Sequence, residues 1–349
     1  NLTTVAELNG DLIEFTSAQY RVEQLGFDGY GLTLSEPSAE GQGTGSFNMN
    51  SGELTFADLT VIANSISARA RDLKLIYGDT LQVNGDVAYR ANVNRVAQWL
   101  ALSPDADSLF WFGTAEGNVR FASDQSGIGL QTDTNIKDFV AAQQSPVVDQ
   151  ATGPIVQASN PLRQWNALVQ DPKLRLFGGI KIGHDFDSIV FENTQLESES
   201  LTGSISGTAD AISTRMLVDL KGNWKPDWSK INSLVAFYAG ETLQFEGESS
   251  QSFAIRGPLF ETPAPDNNNS IVAQPAAWLP SDVSGTANFG WERGAVLGLP
   301  VGKSQFDVSI DQGIATITTD GIPFAGGAIK FAPRVDLRTS QPVAKMDST

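Results

Sequence analysis

The sequence contains no cysteine and a single histidine, His184. Without cysteine there is no disulfide framework, no thiolate zinc site, no iron–sulfur cluster and no cysteine nucleophile. One histidine rules out the usual multi-histidine metal centres. Basic residues are scarce: 23 Lys and Arg stand against 40 Asp and Glu, a formal net charge of −17. Phosphate contacts dominate nucleic-acid affinity, so this balance argues against DNA or RNA as a partner. Long apolar runs are missing too. The most apolar, Leu234-Val235-Ala236-Phe237-Tyr238-Ala239, has six residues, against the ~18 that a membrane-spanning helix needs. No signal peptide is visible and the chain opens at Asn1 without an initiator Met. We therefore expect a piece of a longer protein, with any anchor or targeting signal elsewhere.

What is present is alternation. Hydrophobic residues make up 41% of the 349 positions, enough to bury a core. Leu81, Val83, Val87 and Tyr89 alternate with Gln82, Asn84, Asp86 and Arg90; Leu174, Leu176, Ile180, Ile182, His184 and Phe186 repeat the pattern. Phe306, Val308 and Ile310 alternate with Gln305, Asp307, Ser309 and Asp311. Strands with one apolar and one solvated face read this way, and they belong to antiparallel sheets. Turn signals at Asn9-Gly10, Asn50-Ser51-Gly52, Asp311-Gln312-Gly313 and Asp320-Gly321 separate them. We expect roughly 18–22 short strands of ~5–6 residues. Pro37 to Gly45, Gln144 to Pro161 and Thr262 to Pro280 read as loops, the last as a linker.

Helical spacing is rare. Asn92 to Leu100 sets Val93, Val96, Ala97 and Leu100 on one face behind an Asn92 N-cap, and Asp227 to Val235 does the same behind Asp227. Two further short helices are expected at Asn135–Ala142 and Pro161–Val169. The first two lie 135 positions apart in matching surroundings: Tyr89-Arg90-Ala91-Asn92-Val93-Asn94-Arg95-Val96 aligns without gaps on Trp224-Lys225-Pro226-Asp227-Trp228-Ser229-Lys230-Ile231. The same offset carries Leu54 and Phe56 onto Ile189 and Phe191, Val61 onto Leu196, Ile66 onto Leu201 and Val83 onto Val218. We read repeat units near 45–125 and 180–257, and a partial copy near 283–337, within one region spanning 1–349.

Motifs that could carry chemistry are weak. Gly298-Leu299-Pro300-Val301-Gly302-Lys303-Ser304 has three residues between its glycines where a phosphate loop needs four, and strand-like alternation follows it where a helix is required. Gly41-Gln42-Gly43-Thr44-Gly45 fails as a dinucleotide loop for the same reason. His184 beside Asp185 and Asp187 suggests a general base, but on a strand the histidine faces the apolar side and both carboxylates face away. No Gly-x-Ser-x-Gly elbow accompanies it, so no catalytic residue is assigned. Glu192, Glu197 and Glu199, like Asp105 and Asp107, read as solvated surface, and no metal site or cofactor is expected.

The C-terminal third carries the pattern Gly285-Thr286-Ala287-Asn288-Phe289-Gly290-Trp291, Val296-Leu297-Gly298-Leu299-Pro300-Val301-Gly302-Lys303, Asp311-Gln312-Gly313-Ile314-Ala315-Thr316-Ile317 and Ala325-Gly326-Gly327-Ala328-Ile329-Lys330-Phe331-Ala332-Pro333-Arg334. It resembles the C-terminal region of AsmA-like bacterial envelope proteins, and the earlier repeats are similar to that family's repeating β-groove units. The resemblance covers most of the chain and rests on glycine and hydrophobic positions. It implies a mainly β fold: a long curved antiparallel sheet, a half-pipe with an apolar inner surface and a few short rim helices. It further implies an inner-membrane anchor outside this chain, a periplasmic location, and lipid conduction between membranes or a role in outer-membrane assembly. Acyl chains or phospholipid would be the ligand, with the rest of the same chain and other envelope proteins as partners. Phe245, Phe253, Phe289, Trp291, Phe306, Val308 and Ile310 are the candidates to line the groove. Alternation alone leaves a sealed core, and hence a structural or assembly module, equally open, since both place apolar side chains on one face. An enzyme or a carbohydrate-binding β domain ranks behind these two.

Overall fold

The computed structural model describes residues 2–29, 32–99, 109–144, 165–212, 214–240, 242–259, 280–330, 332–338 and 343–346. The alternating segments form strands β1 (Leu2–Asn9), β2 (Leu12–Gly29), β3 (Leu32–Asn48), β4 (Glu53–Ala63), β5 (Ile66–Tyr77) and β6 (Leu81–Asn92), then helix α1 (Val93–Trp99). Next come β7 (Leu109–Asp124), β8 (Gly127–Gln144), β9 (Trp165–Ile182), β10 (Ser188–Glu197), β11 (Leu201–Asp210), β12 (Leu217–Pro226) and helix α2 (Trp228–Ala239). The remainder comprises β13 (Leu243–Glu246), β14 (Gln251–Pro258), β15 (Ser284–Trp291), β16 (Arg293–Val296), β17 (Leu299–Val301), β18 (Ser304–Asp311) and β19 (Ile314–Thr319). Four short strands close the order: β20 (Ile322–Phe324), β21 (Gly327–Ile329), β22 (Pro333–Asp336) and β23 (Val343–Met346).

Eighteen of these strands join by antiparallel ladders into one long, curved sheet that does not close into a barrel. From β1 to β12 each strand pairs with its neighbours in sequence. The sheet then continues through β14, β15, β18, β19, β22 and β23. A separate three-stranded sheet (β13, β16, β17) and the β20–β21 hairpin are left over.

Several expectations are corrected. Many strands are far longer than five or six residues; β2, β8 and β9 each have 18. The segment expected as a helix at Asn135–Ala142 lies inside β8, and the described part of Pro161–Val169 opens β9. The cause is bulges. Asp138, at φ 52°, and Pro172 are skipped in the β8–β9 ladder, so Ile136 and Phe139 fall three apart and mimic helical spacing. Leu168 is skipped in the same ladder, which buries it beside Val169. Pro37 to Gly45 is no loop but the middle of β3. The other two expected loops fall almost wholly outside the described residues.

Ladder partners share a face, so register assigns every side chain to one side of the sheet. Leu54, Phe56, Leu59 and Val61 of β4 pair with Leu75, Leu73, Ala70 and Ala68 of β5, and the apolar side continues strand by strand to Phe306, Val308 and Ile310. The opposite, outer face carries cross-strand ion pairs: Arg69 with Asp58, Arg120 with Asp86, Lys137 with Glu116, Arg175 with Asp133 and Lys181 with Asp124. Hydrogen bonds from Arg69 and Arg175 hold the Asp58 and Asp133 carboxyls below their usual range. These pairs are solvent-exposed, and such pairs contribute about 0–1 kcal/mol each.

β6 and β12 are an even number of antiparallel steps apart, so they run the same way and both deliver their helices to one rim. At that rim β4–β6 stop short of β3 and β7, and β10–β12 stop short of β9. α1 sits in the first bay against β3 and β7; α2 sits in the second against β9 and β13. Asn92 and Asp227 cap them as expected, accepting from the Arg95 N–H (3.1 Å) and the Ser229 N–H (3.1 Å).

The bays share a latch 135 residues apart. Asn92 N–H donates to the Ser65 carbonyl, and Asp227 N–H to the Ser200 carbonyl, both at 2.9 Å. A buried carboxylate from the adjoining long strand holds each turn. Glu36 Oε2 accepts from Asn64 N–H (3.0 Å), and Asp171 Oδ2 accepts from the Ser200 N–H (3.0 Å) and hydroxyl (2.9 Å). Glu36 and Asp171 are 2% and 1% exposed, and each precedes a proline. Burial alone would raise the Asp171 carboxyl, but the donors from Ser198, Ser200 and Lys173 outweigh it and hold it below its usual value.

Removing the latch carboxylate leaves its donors unsatisfied, so Asp171→Ala is expected to cost about 1–3 kcal/mol, read in denaturant melts. A carboxyl depressed in the folded state stabilises above its unfolded pKa of ~3.9 and loses that contribution as pH falls through the folded value. The gap between the parent and Asp171→Asn should therefore be full at neutral pH and shrink below about pH 4.

Candidate functional site

The inner face from β4 to β12 forms an apolar trough. By register its floor includes Val83, Val87 and Tyr89 of β6, Val119 and Phe121 of β7, Leu130 and Ile136 of β8, and Leu176 and Ile180 of β9. Phe191 and Leu196 of β10, Ile205 of β11 and Leu220 of β12 extend it. The one Asp, Glu, Lys or Arg at an inner position in these ladders is the latch carboxylate Asp171, buried opposite Phe139 at the rim end of β9. The floor side chains are mostly half-buried. Among the described residues, the elements packed against the sheet along this stretch are α1 and α2 at the rim.

Glycines shape the floor. Side chains on the inner side of a curved sheet converge, so small residues must alternate with large ones. The Tyr20 ring lies where a Cβ at Gly41 would sit, and burial there pushes its phenol pKa up. Phe15 crosses above Gly45 to meet Phe56 edge-on at 5.7 Å. Tyr89 reaches past Gly117 to share a 2.6 Å hydrogen bond with the Thr134 hydroxyl, which is 2.9 Å from that of Thr132. The Phe253 ring covers Gly222. These rings lie along the floor, over the glycines of the neighbouring strands.

The seven predicted lining residues divide. Phe253, Phe289, Val308 and Ile310 sit on the inner face of β14, β15 and β18 and are half-buried. Trp291 and Phe306 share that face but are 5% and 3% exposed, sealed beneath other elements. Phe245 is not on the large sheet; it lies on β13 and stacks on Trp291 at 4.4 Å. Around it gather Trp228 and Ile231 of α2, Val301 of β17 and, from the long strands, Ala141 and Val169. Polar bonds fix this cover. Trp228 Nε1–H donates to the Gly290 carbonyl (2.7 Å), and Trp291 Nε1–H donates to that of Gly302 (3.1 Å). The Asn232 amide brackets the Phe245 backbone at 2.7 and 2.9 Å.

His184 is corrected: it lies in the turn between β9 and β10, with Nε2 2.8 Å from the Asp124 carbonyl. The glycines at 298 and 302 flank strand β17, and Ser304 opens strand β18, so no helix N-terminus stands there to receive phosphate. Glu197 and Glu199 are exposed partners of Arg175 and Lys230. The floor glycines and the latch carboxylates escaped sequence reading. Alternate glycines at 41, 43 and 45, and Glu36-Pro37 recurring as Asp171-Pro172, were the available signals. No known family model, curated protein or solved structure matches the chain.

Filling a floor gap should strain the sheet. A Cβ at Gly222 meets the Phe253 ring and the Ser204 carbonyl, whereas Gly78 has open space around it. We expect Gly222→Val to lose about 1–3 kcal/mol or more in denaturant melts. Gly78→Ala should stay within ~0.5 kcal/mol of the parent.

Proposed function

We propose that this chain is a non-enzymatic lipid-binding and lipid-transfer segment of an AsmA-like cell-envelope protein, working on the periplasmic side and tethered to the inner membrane by sequence outside it. The observation that carries the reading is the trough: an apolar inner face along β4–β12 whose one charged residue, Asp171, is tied into the rim latch, and on which, among the described residues, only the rim helices pack. An apolar sheet face normally packs on a second layer, and an extended uncovered one marks an interaction site. An unbranched acyl chain fits that role. It gains ~0.8 kcal/mol per CH₂ withdrawn from water, and its headgroup stays at the wet mouth. The Tyr89, Thr132 and Thr134 hydroxyls are bonded to one another and ask little of a ligand.

The second reading is a structural or outer-membrane-assembly module that binds other envelope proteins. The sealed cluster around Phe245 and Trp291 favours it locally. The two readings differ at Val308 and Phe306. Phe306→Asp buries an unpaired carboxylate and should lose several kcal/mol under either reading. Val308→Asp lies on the half-buried part, so the lipid reading expects it to stay folded while binding of a fluorescent fatty acid falls severalfold. Organic extraction and mass spectrometry of the purified parent should recover lipid. An empty extract, with Val308→Asp unfolding as Phe306→Asp does, would favour the assembly module.

A further inference from the structure

We infer that the trough has a built-in stopper, which ends its full width at β14–β15 and lets a bound acyl chain continue only along the half of the strands away from the helices. This rests on the lipid reading above and adds a boundary to it. The two helix bays are alike in strand order and latch but differ in what covers them. α1 packs on β3 and β7, and among the described residues no strand is layered over it. α2 carries a second layer: β13 packs on it, pairs with β16, and β16 pairs with β17. That layer presses on the helix-side ends of β15 and β18, where Trp291 and Phe306 sit.

The result divides one floor into two environments within a single ladder. β15 and β18 pair Phe289 with Phe306, Ala287 with Val308 and Gly285 with Ile310. The Phe306 end is closed by rings in contact: Phe245 on Trp291 at 4.4 Å and Trp291 on Phe306 at 5.1 Å. Two register steps away Val308 is half-buried, as is Ile310. A chain laid along the trough from β4 meets the stopper on the helix side and finds open apolar floor only on the other. Asn232 of α2 holds the stopper through its bonds to the Phe245 backbone, so the device is pinned by a polar contact that no acyl chain competes for.

The test uses the intact chain and a palmitic acid analogue bearing a diazirine near its methyl end. After illumination, adducts are mapped residue by residue with tandem mass spectrometry. Adducts are expected on the β5–β9 floor (Leu75, Leu130 and Leu176) and on Val308 and Ile310. Yield on Trp291, Phe306 and Phe245 should be at least tenfold lower, and Asn232→Ala should raise it severalfold without reducing the β5–β9 adducts. Comparable yield on both halves of β18 in the parent would overturn the stopper while leaving the lipid reading standing. Adducts nowhere on the inner face would overturn both.

Discussion

Volume on the inner face is the constraint on which the rest of this structure depends. In an open sheet of eighteen strands the large apolar side chains of neighbouring strands crowd one another along one face. The chain meets the crowding by pairing each large ring with a missing side chain on the next strand: Tyr20 with Gly41, Phe15 with Gly45, Phe253 with Gly222. The rings lie over the glycines, and valine or leucine at the same positions would displace them. Glycine in a strand is ordinarily a loss of stability; here it allows the sheet to curve and to keep one face open.

The rim is the second device. A meander with no opposing layer has few contacts between strands distant in sequence, so the long strands need another way to hold the short ones in register. Glu36 and Asp171 supply it by gripping the β4–β5 and β10–β11 turns from the neighbouring long strands. Each grip sets the carbonyl of Ser65 or Ser200 to receive the cap residue of the following helix. One buried carboxylate thus fixes a turn, a strand end and a helix start together. The side chains that do this are among the most deeply buried polar groups in the chain.

Period two gave the faces correctly: Leu81 to Tyr89, Leu174 to Ile182 and Phe306 to Ile310 all register on the inner side. The 135-residue offset brought α1 and α2 to corresponding places, each behind a cap residue whose N–H bonds to the carbonyl of the equivalent turn serine. Reading failed at the bulges, where one skipped residue turns a spacing of two into three and imitates a helix, as at Asp138. It failed at Pro37–Gly45 because a glycine-rich strand and a loop share a composition, and only the rings on neighbouring strands distinguish them. The sealed and open fates of Phe306 and Val308 were not legible at all. Both alternate in one strand, and what separates them is the cover of α2, β13 and β17, of which α2 and β13 come from a distant part of the chain.

The cover over the trough is uneven along its length. Along β4–β12 the elements packed on the apolar face, among the described residues, are the rim helices. Toward β15 the floor narrows beneath aromatic rings whose indole N–H groups are bonded to backbone carbonyls. Buried N–H groups without acceptors would be costly, so these bonds make lifting the cover a concerted event in which several acceptors are lost together. Outside, the ion pairs across neighbouring strands keep the reverse face wet and unsuited to an apolar ligand. An apolar molecule meeting this surface has one face to enter by, and toward β15 half the width of that face is closed.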